Sequence, residues 1–378
     1  MSATAKIGAV LLFWLAVGLI QTFNWGSDIP KALVMLLLLL AAPLLLTLAR
    51  KATPQHRPTL ARMVKIALGL ALALDLAYFG ARIVAPHVID IALTTLAAGQ
   101  TLLHGANPYA VPIDTGPESA GFTGYKYMPV MITTYLPLGA TLGQRGVLIT
   151  NLVLLLACLW LMKRIACARL APLLLAMLPL VAEQIFAKGA TDLAAVLPLL
   201  GALALVERNS FWGGVCTGLS IATKLLPGVA LLPALIPAER RGLYAAGVAT
   251  GLLPILPFLV AGPQAFIGNI VLFNLARSAD DTSWLHGMPA GVAGEVHVAF
   301  AAAALAVAVA VWRRPPPLAG RAALAAMLGI GAILAGPGAH HNYQLWWLPF
   351  YAILLSLALA PGRRVGYISG ADIDAKGA

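Results

Sequence analysis

Apolar runs, each close to the length of a membrane crossing, recur along the whole chain and limit what it can fold into. A helix needs about 20 mostly apolar residues to cross a hydrocarbon core about 30 Å thick. Of the 378 residues, 60% are hydrophobic and 10% are charged, whereas soluble domains carry about 25% charged residues. Because lipid offers the backbone no hydrogen-bond partners, such runs cross as helices. The sequence therefore predicts an all-α, polytopic integral membrane protein.

The apolar runs divide the chain into membrane segments and connecting loops. We predict about 11 to 12 transmembrane helices, with segments at 7–24, 31–49, 63–84, 145–162, 170–187, 190–206, 211–237, 242–260, 291–312, 318–336 and 343–361. We expect one transmembrane domain, 1–378, comprising an extra N-terminal helix pair, a core and a cytoplasmic tail, at 1–62, 63–361 and 362–378. Outer loops of the core are predicted at 85–144 and 261–290, with a shallow or re-entrant stretch at 128–144.

The segment at 211–237 is predicted to be a hairpin of two short helices. Arg208 precedes it and Arg240 follows it, so both ends are basic and belong on the same side of the membrane. Lys224 and Pro227 lie near its middle. A buried lysine costs several kcal/mol unless it meets an anion or water. Lys224 is therefore a candidate functional residue.

The basic residues define a topology. The net charge of +11 comes largely from short clusters between apolar runs, which indicates cytoplasmic loops and not a nucleic-acid partner. Both termini are then cytoplasmic, and the cytoplasmic loops are expected to contact anionic lipids of the bilayer. The cysteines lack metal-ligand spacing, so neither a disulfide nor a zinc site is predicted for Cys158, Cys167 and Cys216.

The first outer loop carries an acid and an aromatic-cationic segment. Asp90 follows the helix predicted at 63–84, where a partly desolvated carboxylate can act as a general base or can be an ordinary N-cap or surface acid. In the segment Tyr125–Tyr127, Lys126 can neutralise a phosphate while the rings stack on a sugar, or the segment can belong to an interfacial aromatic belt. Acceptor-binding or loop-shaping roles are predicted for His104, Asn107 and Tyr109.

Further polar residues lie at the outer ends of later segments. Lys188 and Asp192 are four residues apart and can pair with each other if helical. His340 and His341 can each donate to phosphate or to sugar hydroxyls, but adjacent histidines are unsuited to chelating one metal from a helix. No metal site or cofactor is firmly predicted; a divalent cation at Asp280–Asp281 is a weak alternative.

Five patterns in order resemble the GT-C glycosyltransferases, specifically the bacterial polyprenyl-phosphate-mannose-dependent alpha-1,2-mannosyltransferase-like family. They are Asp90 with the sequence 105–109, the segment 125–129 with Pro137–Leu138, the segment 189–192, the segment 218–227, and Gly336–Pro337 with His340–His341. The resemblance implies inverting transfer of a sugar from a polyprenyl phosphate to a lipid or glycan acceptor on the extracytoplasmic side of the bacterial inner membrane. Asp90 matches the family's base. Candidate donor-binding residues are Tyr125, Lys126, Tyr127, Lys188, Asp192, Lys224, His340 and His341.

Two other functions remain open. A transporter of a lipid phosphate or small solute is favoured if Asp75, inside the segment at 63–84, and Lys224 line one path. A non-catalytic accessory protein of the same fold is the other, because Ile91 and Ala92 follow Asp90 where the family commonly has an aromatic residue. The sequence does not fix the oligomeric state.

Overall fold

The computed structural model describes residues 57–113, 124–165, 170–176, 178–277, 279–338 and 340–359, and these residues form helices and loops without strands. The predicted segments at 7–24 and 31–49, the tail at 362–378 and Cys167 lie outside them. The first seven α-helices are α1 Arg57–Val84, α2 Asp90–Leu103, α3 Pro129–Leu142, α4 Gln144–Ile165, α5 Leu170–Ala176, α6 Pro179–Ala182 and α7 Leu193–Leu205. A π-helix, Glu183–Ala187, follows α6.

The described residues from Ser210 onward form nine more α-helices. They are α8 Ser210–Thr223, α9 Leu225–Leu231, α10 Arg241–Leu252, α11 Leu256–Ala261, α12 Pro263–Ile267, α13 Phe273–Ala276, α14 Ala290–Arg313, α15 Leu318–Leu334 and α16 Leu348–Leu359. Short 3₁₀- or π-helical turns connect several of them, at Leu232–Leu235, Leu253–Ile255, Gly268–Leu272 and His341–Trp346. The all-α prediction is confirmed.

Fewer helices than predicted have the length and apolarity of a full crossing. In the described residues these are Gln144–Ile165, Arg241–Ala261 and Gly291–Arg313. The segment predicted at 170–187 is instead broken, with a bend of 65° between Leu170–Ala176 and Leu180–Ala187. Pro179 explains the break, because proline disfavours helical geometry in the residue before it. Other apolar helices are shorter, for example α3, which has 14 residues and proline at both its start and its interior.

The segment predicted as a hairpin folds back on itself at Lys224. Helix α8 ends at Thr223, the extended backbone of Lys224 interrupts it, and α9 returns. The two ends meet, since the Ser210 hydroxyl lies 3.4 Å from the Glu239 carbonyl oxygen that accepts its hydrogen bond. The tip of the hairpin therefore carries Lys224 away from the basic residues at its base.

Helix α10 packs closely along α8 through glycines on both helices. A Cβ atom added to Gly218 would lie 2.9 Å from the Cα of Gly251, and one added to Gly214 would lie 2.9 Å from the amide nitrogen of Val248. Small residues permit such backbone contact between membrane helices. This packing fixes the hairpin, and thus Lys224, against the rest of the molecule.

The largest apolar core joins α4, α5, α7, α15 and α16. Trp346, Trp347 and Phe350 are fully buried in it. These three residues directly follow the predicted outer segment at 336–343 in the sequence. Because they are buried in the core, they anchor that segment, which contains His340 and His341. The predicted segment at 343–361 is accordingly a 3₁₀-helix followed by the shorter helix α16.

Candidate active site

Asp90 is the first residue of α2 and faces Lys126. The residue before it, Ile89, donates its backbone N–H to the carbonyl of Lys188 at 2.8 Å, which fixes the start of the helix. The carboxylate lies 3.6 Å from the Lys126 ammonium, with 22% of the Asp90 side chain and 18% of the Lys126 side chain exposed. Ile89, not Asp90, is the N-cap, so Asp90 is not a capping residue. The pair is shielded but reachable from outside.

Burial lowers the pKa of Lys126 below its ordinary value. The charge of Asp90 opposes this change, whereas the nearby cations Arg277 and Lys224 add to it. Like charges destabilise the protonated ammonium. Three cations thus share one region, and the charge of each acts on the others.

Lys224 is paired with Asp192 and enclosed by aromatic rings. Its ammonium donates to the Asp192 carboxylate at 2.6 Å, and the centroids of the Tyr127, Tyr343 and Trp346 rings lie 4.9 to 5.8 Å away. We call these three rings the aromatic cage. Cation–π attraction is strongest where water is excluded. The predicted pairing of Lys188 with Asp192 is therefore wrong: the buried carboxylate meets Lys224, and Lys188 lies 3.3 Å from Glu183.

Asp192 also binds two donors from the last outer segment. The Asn342 side-chain amide donates to it at 2.7 Å, and the Trp346 indole donates at 2.5 Å. The carboxylate is completely buried, and buried charges require such partners. Asp192 therefore connects the start of α7, the tip of the hairpin and the segment after His340.

The predicted charged residues converge. The ammonium groups of Lys126 and Lys224 lie 5.9 Å and 5.8 Å from the same Tyr127 ring centroid, which places them within about 12 Å of each other. The His340 ring lies 5.2 Å from the Tyr343 ring, which also contacts Lys224. Asp90, Lys126, Lys224 and His340 therefore occupy one region, although they are far apart in sequence.

Arg277 is a member of this region that the sequence did not single out. Its guanidinium lies 2.5 Å from the Asp280 carboxylate and 3.3 Å from the His340 Nε2. Its location in the sequence could have identified it as a candidate. A lone arginine in a predicted outer loop departs from the positive-inside rule. His340 is also 3.1 Å from Asp280, so the two outer segments meet here.

Asp280 is held in its charged form. Burial alone would raise its pKa, but hydrogen bonds from His340 and Thr282, with the charge of Arg277, lower the pKa well below the ordinary value. Thr282 donates both its hydroxyl and its backbone N–H to one carboxylate oxygen, at 2.5 and 3.0 Å. The Asp280 oxygens of the weakly predicted cation site therefore already have protein donors. Within the described residues there is no group of three His, Cys, Asp or Glu side chains that could hold a metal ion.

Three other predicted residues of the first outer loop pack behind the charged residues and shape the loop. Tyr125 is fully buried and packs edge-on against Tyr109 and Tyr127, so its ring is not presented to a ligand. Tyr109 donates its hydroxyl to the Tyr127 carbonyl at 2.7 Å, and it shapes the loop. Asn107 accepts the Tyr109 backbone N–H.

The two remaining predicted histidines differ in position from His340. His104 is exposed beyond the last residue of α2. Because this helix has 14 residues, His104 is separated from Asp90 by about 20 Å. His341 is the first residue of the 3₁₀-helix and is partly exposed, next to His340.

A buried amide supports the start of α2. Asn151, on α4, donates to the carbonyl groups of Ile185 and Ala190 and accepts from the Tyr135 hydroxyl at 2.6 Å. It thereby holds the loop that contains Lys188 and Gly189. Gly189 has a φ of +64°, and a Cβ there would lie 2.9 Å from the Val88 Cβ. The positive φ and the close approach both favour glycine.

The helical fold, with helices of membrane-crossing length and apolarity, is that of a membrane protein, and comparison with known proteins assigns it to the glycosyltransferases. Residues 125–337 match the sequence model of glycosyltransferase family 87. Because the match covers more than half of the 378 residues, the chain belongs to this family. Lys126, Asp192, Lys224 and Arg277 lie inside the matched range; Asp90 and His340 lie outside it.

One solved structure supports the fold independently. The chain is similar to the crystal structure of ArnT from Cupriavidus metallidurans bound to undecaprenyl phosphate, with a TM-score of 0.51 and 15% sequence identity. The match covers 76% of this chain and 59% of ArnT, so this chain spans less than two thirds of that protein. No curated protein matches the sequence.

Proposed function

We propose that this glycosyltransferase moves a sugar from a polyprenyl-phosphate donor to a lipid or glycan acceptor, with inversion at the anomeric carbon. The observation on which the proposal rests is the half-buried Asp90–Lys126 pair beside a region with two further cations, Lys224 and Arg277. A lipid-linked donor keeps its tail in the bilayer and presents its sugar at the surface, which suits a site built from outer loops.

In the proposed reaction Asp90 is the general base. It takes the proton of the acceptor hydroxyl, whose oxygen bonds to the anomeric carbon on the face opposite the phosphate. The bond between that carbon and the phosphate oxygen breaks, and the phosphate leaves with the electron pair. A phosphate needs no proton to leave, so one carboxylate suffices.

Cations around Asp90 stabilise the departing phosphate in this proposal. Lys126 is closest to Asp90, and Arg277 and His340 lie on two other outer segments that meet beside it. Charge that is prearranged in a shielded site contributes more to transition-state stabilisation than charge in water. Lys224 is already neutralised by Asp192, so we assign this buried pair to shaping the site.

The family resemblance favours mannose as the sugar, with another hexose or a pentose as the alternative. It also favours a site on the extracytoplasmic side of a bacterial inner membrane. The presence of ArnT's bound undecaprenyl phosphate in a similar fold supports a polyprenyl-phosphate donor. A transporter role receives less support, because Lys224 is held by Asp192 and the aromatic cage.

The decisive experiment is transfer by the reconstituted full-length protein. Labelled polyprenyl-phosphate mannose, arabinose and glucose are supplied with membrane-lipid and glycan acceptors, and labelled product is measured. Asp90→Asn is expected to reduce transfer by a factor on the order of 10² or more with donor binding retained, because the proton acceptor is lost while a side chain of the same shape remains. The matched control is Glu295→Gln, which removes an exposed carboxylate of α14.

Two results would contradict the proposal. Full turnover by Asp90→Asn would remove Asp90 from the chemistry. A stable wild-type protein that binds donors but transfers none of the sugars would instead favour the accessory function.

A further inference from the structure

A groove lies between the end of α14 and the first turns of α15, remote from the candidate active site. It has a volume of about 500 Å³ and is lined by Ala310, Val311, Arg313, Arg314, Pro316 and Leu324. Helix α14 begins just after the outer segment that holds Asp280, and its 24 residues span about 36 Å. The groove therefore lies near the opposite membrane surface.

The groove combines apolar walls with two arginines that have no carboxylate partner among the described residues. Within the part of the chain that the structure describes, no carboxylate pairs with Arg313 or Arg314, and both are exposed. The nearby Arg321 is different, because it is buried and paired with Glu207. Two exposed positive charges, unpaired within the described residues, thus lie at the mouth of an apolar groove.

Neighbouring groups place this mouth at the level of lipid headgroups. Trp312 is 53% exposed, and the Arg241 guanidinium lies 4.4 Å from its ring centroid. Tryptophan beside arginine is typical of the membrane–water boundary. One and two turns back along α14, Val309 and Leu305 are 43% and 67% exposed, so apolar surface continues from the groove into the bilayer core.

We propose that the groove binds an acidic glycerophospholipid. The phosphate lies between Arg313 and Arg314, the start of an acyl chain fills the groove against Ala310 and Leu324, and the chain continues along α14. Helix α15 begins at Leu318, two residues after the groove residue Pro316, and the start of a helix favours an anion. A soluble phosphate would leave the apolar walls unfilled, whereas a zwitterionic lipid would bring its own positive charge to the arginines. This inference is independent of the transferred sugar.

The test compares lipid binding by full-length protein in nanodiscs of phosphatidylcholine with small additions of phosphatidylglycerol. Bound lipid is counted by native mass spectrometry after release. The double variant Arg313→Gln/Arg314→Gln is expected to reduce the preference for phosphatidylglycerol by about tenfold or more, since each basic residue near an anionic headgroup favours binding several-fold. The matched control, Lys163→Gln/Arg164→Gln, removes the same charge from the end of α4.

A third variant tests the groove itself. Ala310→Trp fills it without changing the charge and is expected to lower phosphatidylglycerol retention to the level of the arginine double variant. Melting temperatures of all variants, measured in phosphatidylcholine alone, are expected to match the wild type. Four outcomes would overturn the proposal: equal retention of both lipids by the wild type, equal losses in the two charge variants, full retention by Ala310→Trp, or retention of free inorganic phosphate in place of lipid.

Discussion

At the scale of single residues, the buried Asp192–Lys224 pair is the most consequential contact of the site. Taking two charges out of water is costly, and the cost is offset only by close geometry and further hydrogen bonds. Both conditions are met here, through the 2.6 Å contact and the donors Asn342 and Trp346. The pair fixes three distant segments in one arrangement, so its removal should affect stability as well as activity.

Asp192→Asn is expected to destabilise the protein by about 3 to 5 kcal/mol, because Lys224 loses its buried counter-charge. The double variant Asp192→Asn/Lys224→Met should recover part of this loss, since the orphaned charge is removed as well. Thermal unfolding in detergent, followed by tryptophan fluorescence, measures both. Equal melting temperatures for wild type and Asp192→Asn would show that the pair adds no net stability.

At the scale of elements, the hairpin of α8 and α9 positions Lys224 only because α10 holds it. The two parallel helices α8 and α10 touch at glycines, with the Gly218 and Gly251 backbones in direct contact. Because glycine has no side chain, the two helix backbones approach closely enough for van der Waals contact. A methyl group would separate the helices and displace the tip of the hairpin.

Gly218→Ala is therefore expected to lower the melting temperature, by an amount corresponding to about 1 to 3 kcal/mol of overpacking. Gly80→Ala is the matched control, because a Cβ there meets nothing within 4 Å. In that helix alanine should leave stability unchanged or raise it by about 0.5 to 1 kcal/mol. If both variants melt alike, glycine packing does not position the hairpin.

At the scale of the whole molecule, Asp280 joins two outer segments that are far apart in sequence, 261–290 and 336–343. Its backbone N–H donates to the Pro337 carbonyl at 2.8 Å, and its carboxylate binds Arg277 and His340. The Ser283 hydroxyl adds a bond to the Gly336 carbonyl at 3.0 Å. These contacts form the outer boundary of the site and should respond to acid.

Asp280 has a folded-state pKa below its ordinary value of 3.8, which fixes the sign of the pH dependence. The carboxylate contributes stability above pH about 4, and the contribution is lost as the pH falls through the lower folded-state pKa. Wild type should therefore melt at a higher temperature than Asp280→Asn at pH 7, and the difference should shrink below pH 4. Asp281→Asn, which removes an exposed carboxylate, is the control; a difference constant from pH 7 to pH 2 would contradict the assignment.

Much of the architecture was predictable because lipid imposes simple rules on sequence. Long apolar runs with few charges required helices, and basic residues on both sides of the segment at 211–237 required a hairpin with Lys224 at its tip. The ends of most helices fell near the predicted positions, as with α4 and α14. Breaks within helices were less predictable. Hydropathy alone indicates one continuous apolar segment at 170–187, and the bend of 65° near Pro179 was therefore not predicted.

The sequence by itself determined the membrane class, the helical fold and the set of polar residues that needed a partner, because an apolar solvent makes each buried charge conspicuous. Only the tertiary structure decided the pairings. From their spacing in the sequence, Lys188 was predicted to pair with Asp192. In the structure, helix packing instead places Lys224 beside Asp192 and Arg277 beside His340. These contacts link residues 32 to 63 positions apart, and such contacts depend on how helices pack and not on local periodicity.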